Sequence, residues 1–115
     1  MTTLTHPASE TVAFVVRLPA RPEKREQMRA MLFDVVDNMA KEPDFINTWV
    51  HEDQAEPDTI VLYETWACSR EAFLARHLNK PYRQAYEAAL PELLAGERTI
   101  TFLTELRAYP SRTQN

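Results

Sequence analysis

The 115-residue sequence predicts an α+β fold: a four-stranded antiparallel sheet with its helices on one face. Three observations predict it. Four short stretches are rich in β-branched, aliphatic and aromatic residues, the composition of strands. The segments after the first and third of these repeat apolar residues every three or four positions, the period of a helix packed on a sheet. The second and third strands are joined by a polar loop that holds a proline, so they read as a hairpin with a long connection.

The first strand is read at Thr11 to Leu18, followed by a turn flanked by Pro19 and Pro22. Pro22 suits a first helical turn and Glu23 its positive end. The helix is expected to run to about Ala40, with Met28, Met31, Leu32, Val35, Val36 and Met39 on one stripe. Methionine is adaptable, so Met31 and Met39 suit either the core or the wall of a ligand cavity. Lys41-Glu42-Pro43-Asp44 ends the helix. Phe45 to Glu52 and Thr59 to Trp66 are the hairpin strands, joined by the loop Asp53 to Asp58 with Pro57.

Strict alternation puts Phe45, Asn47, Trp49 and His51 on one face of the second strand. On the third it puts Ile60, Leu62, Glu64 and Trp66 on one face and Val61, Tyr63 and Thr65 on the other. Both faces of the third strand are apolar, so the side without helices is expected to meet something other than water, such as a partner's sheet. Ser69 caps a helix to Leu78. Pro81 opens another to Ala89, and Pro91 to Leu94 forms a short turn ended by Gly96 in the left-handed region. The last strand is read as Arg98 to Tyr109. Residues 1–10 read as a loose arm and 110–115 as a polar tail, leaving 11–109 as the domain. The order βαββαβ is the ferredoxin-like arrangement.

Composition narrows the function. The formal net charge of −4 offers no bulk attraction to nucleic acid or to an acidic membrane. No apolar run approaches the ~20 residues of a membrane span, and the N-terminus lacks a signal-peptide pattern, so a cytoplasmic protein is expected. The lone cysteine, Cys68, cannot form an internal disulfide. With Gly96 the single glycine, there is no phosphate loop or dinucleotide fingerprint. The three histidines show no H-x-x-x-H or H-E-x-x-H spacing, so neither a metal nor an organic cofactor is expected. No G-x-S-x-G elbow supports a hydrolase.

Chemistry-bearing residues concentrate between Tyr63 and Tyr82. Glu64 and Trp66 share a strand face, and Phe73 and His77, four apart, share a helix face. If the helix returns over that strand, a carboxylate, an indole and an imidazole meet beside an apolar space suited to a flat aromatic ligand. Each has a purely structural alternative: Trp66 as a core residue, His77 as a helix-end cap, Glu64 as an ion-pair partner of Arg98 or Arg107, and His51 as a hairpin-rim residue. Tyr63, Tyr82 and Tyr86 suit ligand contact or packing, and His6 lies in the arm.

The run Glu64-x-Trp66, Phe73, His77, Pro81-Tyr82, with Glu42-Pro43 and His51-Glu52-Asp53 followed by Pro57-Asp58 upstream, resembles the antibiotic biosynthesis monooxygenase (ABM) family of dimeric α+β-barrel proteins. The resemblance spans about Val12 to Leu106. It implies a homodimer in which two sheets pair into a barrel. It also implies cofactor-independent oxidation of a quinol or polyphenol by O₂ in a pocket between sheet and helices. His77, His51 and Glu64 are then the catalytic candidates, and Trp66, Phe73 and Tyr82 the substrate-binding ones. Glu23 and Asp44 stand where the family often has glycine, and Tyr82 where many members have histidine. Similar haem-degrading proteins use an Asn on the first strand and a late-helix His; this chain has no Asn there and Tyr86 at the helix position, which disfavours haem. Two alternatives stand beside the oxidase: an isomerase of a small phosphorylated signalling sugar using Arg76, Lys80 and Arg83, and a non-catalytic dimeric ligand-binding module.

Overall fold

The computed structural model describes residues 11–110. The arm expected at residues 1–10, with His6, and all but Pro110 of the tail lie outside the described residues. Four strands, β1 (Val12–Pro19), β2 (Phe45–Glu52), β3 (Thr59–Trp66) and β4 (Thr99–Leu103), form one antiparallel sheet in the order β2-β3-β1-β4. Three helices are α1 (Arg25–Met39), α2 (Arg70–Arg76) and α3 (Gln84–Leu93). Short 3-10 turns at Pro22–Lys24 and Pro81–Arg83 lead into α1 and α3, each with a proline at its start, where the missing N–H costs nothing. The Ser69 side chain accepts from the Ala72 N–H at 3.0 Å and caps α2.

Register sorts side chains between the two faces of the sheet. Toward the helices stand Val12, Phe14, Val16 and Leu18 of β1 and Ile60, Leu62, Glu64 and Trp66 of β3, all buried. They pack on Met28, Leu32, Val35 and Met39 of α1 and on Phe73, Tyr86, Leu90 and Leu93. Trp49, Tyr63, Val15 and Thr101 lie side by side across the other face. Val61, Tyr63 and Thr65 are only half-buried there, and Trp49 is 57% exposed.

Four local readings are corrected. A β-bulge between Phe45 and Asn47 shifts the register, so Phe45 pairs with Trp66 on the helix face while Asn47, Trp49 and His51 lie on the other. The extra residue, Ile46, absorbs the shift. Next, α3 runs through Pro91 to Leu93 instead of stopping at Ala89. The ring removes one backbone donor, but Leu90 and Leu93 are buried, and the Leu94 N–H still reaches the Leu90 carbonyl at 2.9 Å. Gly96 is not in the left-handed region. Finally, β4 ends at Leu103, not Tyr109, because its partner β1 begins at Val12, opposite the end of the ladder. Beyond it Leu106 is 94% exposed and Tyr109 80%.

Candidate active site

Glu64 projects from the middle of β3 toward the helices and is 6% exposed. Opposite it across the ladder are Thr48 on one side and Phe14 on the other. Trp66 donates to it, its Nε1–H reaching Oε1 at 3.0 Å. The i,i+2 spacing on one strand face makes this contact possible. Burial pushes the Glu64 carboxyl above the usual carboxylate range, against the opposing pull of the Trp66 bond and the nearby Arg83. Neither Arg98 nor Arg107 pairs with it: Arg98 donates to Glu87 at 2.9 Å and Arg107 to the Tyr109 hydroxyl.

Glu64 borders a cavity of about 30 Å³. The walls are aliphatic from α1, with Met39 among them, and aromatic from Phe14 and Phe73. The polar groups that converge on it are Glu64, Arg83, Tyr86 and Arg98. Arg83 Nη2 and Arg98 Nη1 both donate to Glu87 Oε2, at 2.7 and 2.9 Å. These two cations hold Glu87 below the usual carboxylate range although burial opposes them. The Arg83 Nε is buried and has no hydrogen-bond partner. An unpaired buried donor costs about 1–3 kcal/mol, and a ligand oxygen would relieve it. Burial pushes the Tyr86 phenol up to about 12.

Trp66, 1% exposed, lies behind Glu64 instead of in the cavity wall. Its ring packs on Phe45 (5.4 Å, edge-on), Phe73 (5.3 Å) and His77 (4.5 Å). His77, 4% exposed, closes the C-terminus of α2, and its Nε2 lies 3.0 Å from Asp44 Oδ2. It does not border the cavity. Tyr82 sits outside as well, its hydroxyl donating to Glu42 Oε2 at 2.9 Å. Lys80 reaches the same carboxylate at 3.2 Å. Glu42 is held below its usual range: burial opposes this, but the Tyr82 and Lys80 hydrogen bonds prevail. His51 is exposed near the end of β2, on the face away from the helices. Of the six candidates, then, Glu64 and Phe73 touch the cavity, Trp66 and His77 form a buried stack behind it, and Tyr82 and His51 lie elsewhere. Met31 borders a separate shallow pocket beside Tyr82.

The antibiotic biosynthesis monooxygenase family model matches residues 11–89. The chain belongs to that family. An uncharacterized protein of Synechocystis sp. is 25% identical over 93 residues, which span 81% of this chain and 62% of that relative. A Mycobacterium tuberculosis protein of known structure is 28% identical, with a TM-score of 0.76 over 87% of this chain and 99% of its own. A Pseudomonas aeruginosa structure superposes with a TM-score of 0.77 at 21% identity, over 90% of this chain and all of its own, which shows the shared fold. The family match supports a monooxygenase-like ABM domain with the cavity where sheet and helices meet. Among the described residues no helix is long and apolar enough to cross a membrane.

Proposed function

We propose that this ABM domain is a cofactor-independent monooxygenase that oxidises a quinol or polyphenol with O₂ in the cavity beside Glu64. The observation that carries the reading is a carboxyl group in the wall of a largely apolar cavity, its affinity for a proton raised by burial, with the Arg83 guanidinium bordering the same cavity. A phenol bound there gives its proton to Glu64, and the positive charge of Arg83 stabilises the oxyanion. The electron-rich phenolate then reduces O₂ itself, so the protein supplies a base, orientation and exclusion of water. For a quinol the balance is one O₂ in and one water out: one oxygen atom enters the ring, the other leaves as water, and the quinol supplies all four electrons.

Proton transfer is assigned to Glu64 in preference to His77 or His51, neither of which borders the cavity. The Trp66 N–H orients the carboxylate, His77 and Phe73 back the indole, and Tyr82 steadies the turn that carries Arg83. The cavity is smaller than the ~150 Å³ that holds a benzene ring. Leu78 and Arg83 border both it and an outer pocket of about 350 Å³. Their side chains therefore form the partition a substrate displaces on entry. The protein would work in the cytoplasm as a homodimer, the apolar outer face of the sheet being covered by a second copy.

Oxygen uptake with a panel of quinols, without added cofactor, tests the reading. Uptake that depends on Glu64 supports it. Isomerisation of a phosphorylated sugar without oxygen would favour the second reading, to which the Arg83 donor is also suited. Ligand binding with neither reaction would leave a binding module.

A further inference from the structure

Three donors far apart in sequence meet behind Trp66. Asp44 precedes β2, Cys68 follows β3 and His77 ends α2, yet a carboxylate oxygen, the thiol sulfur and an imidazole nitrogen all lie within 4.8 Å of one another. Cys68 is 3% exposed and His77 4%, while the Asp44 side chain is 22% exposed. The imidazole Nε2 already faces Asp44 Oδ2 at 3.0 Å.

We propose that Asp44, Cys68 and His77 form a binding site for a divalent transition-metal ion of the zinc class. Sulfur, imidazole nitrogen and carboxylate oxygen are the donor types zinc takes, and this mixture excludes magnesium and calcium, which demand oxygen shells. Neighbouring ligand atoms around a tetrahedral zinc stand roughly 3.3–3.6 Å apart, given metal–ligand bonds of ~2.0–2.3 Å. The 3.0 Å between Asp44 Oδ2 and His77 Nε2 opens slightly to admit the ion, and the sulfur closes in. The thiol gives up its proton on binding, so thiolate and carboxylate together balance the dication. Three protein ligands leave a fourth position for water.

Arg76 donates to the same Asp44 oxygen at 2.9 Å and competes with the ion. Its side chain is 57% exposed and can swing into solvent. The pattern escapes a search for contiguous ligand spacing because each donor sits at the end of a different element. The site is independent of the oxidase reading: it lies outside the cavity and needs no turnover for its test.

The probe is Co²⁺, added to the full-length protein after chelator treatment and followed by absorption, with Zn²⁺ as competitor. The expected result is one Co²⁺ per chain with a thiolate-to-cobalt charge-transfer band, erased by stoichiometric Zn²⁺. Cys68 is the only cysteine, so that band reports this site alone. Cys68→Ser, checked for folding by circular dichroism, is expected to lose the band and at least about tenfold in Zn²⁺ affinity, on the scale of losing support around a metal site. Asp44→Asn weakens binding, and Arg76→Gln, which removes the competing cation, tightens it. No charge-transfer band on the wild-type protein, or Zn²⁺ affinity unchanged in folded Cys68→Ser, overturns the proposal.

Discussion

Glu64 and Trp66 share one strand face and are joined by a hydrogen bond. The carboxyl is held against water by Phe14 and Phe73 and addressed by the indole N–H at 3.0 Å. Because burial raises its folded-state pKa, the folded protein holds this proton more tightly than the unfolded chain. Its stabilising contribution is therefore present at low pH and is lost as pH rises through the folded pKa. Glu64→Gln keeps an acceptor for Trp66 and removes that titration. It is expected to flatten the decline in stability above the ordinary glutamate range and to leave the variant at least as stable as wild type at neutral pH, measured by urea unfolding across pH. A steeper decline in the variant would show that Glu64 is not the buried group described. Trp66→Ala removes a fully buried ring from a four-member aromatic stack and is expected to cost about 3–5 kcal/mol in the same measurement. Trp66→Phe keeps the packing but deletes the N–H, so the Glu64 carboxyl rises further; infrared titration of the carboxyl band checks the direction.

At the scale of elements, α2 is seven residues long and carries both Phe73 and the His77 cap. So short a helix has little stability of its own and depends on its ends. Ser69→Ala removes the bond to the Ala72 N–H and is expected to cost about 1 kcal/mol in thermal or urea unfolding, with faster amide exchange confined to α2. Exchange that rises across the whole sheet instead would mean that α2 does not open on its own.

The elements were legible where periodicity was strong: the α1 stripe, the β3 alternation and the Ser69 cap all reappear in the structure. Features set by neighbours were not. The bulge at Ile46 follows from pairing Phe45 with Trp66, the end of β4 from where β1 begins, and the passage of α3 through Pro91 from burial of Leu90 and Leu93. The site divides in the same way. The Glu64–Trp66 pair, and its approach to Phe73 and His77, could be read from spacings of two and four. The meeting of Arg83 and Arg98 on Glu87, and of Asp44 with Cys68 and His77, depends on chain crossings that no local spacing encodes.

At the scale of the whole molecule, the helices among the described residues cover the sheet on one side only. Trp49, Tyr63, Val15, Val61 and Leu103 leave an apolar band on the other. Contiguous apolar surface of this kind marks an interaction site. In the proposed homodimer the two outer faces meet, burying more than ~2,000 Å² as obligate dimers do. Light scattering at micromolar concentration is expected to give twice the chain mass, and Val61→Asp to give monomer or insoluble protein; a monodisperse wild-type monomer would contradict the assembly. In the proposed cofactor-independent oxidation, Glu64 is the base. Oxygen consumption by wild type and Glu64→Gln, compared at saturating quinol with no cofactor added, tests it most directly. Turnover is expected in the wild type, with a loss of roughly 10²–10⁴-fold in the folded variant, the usual contribution of a general base. Equal rates in the two proteins would contradict it.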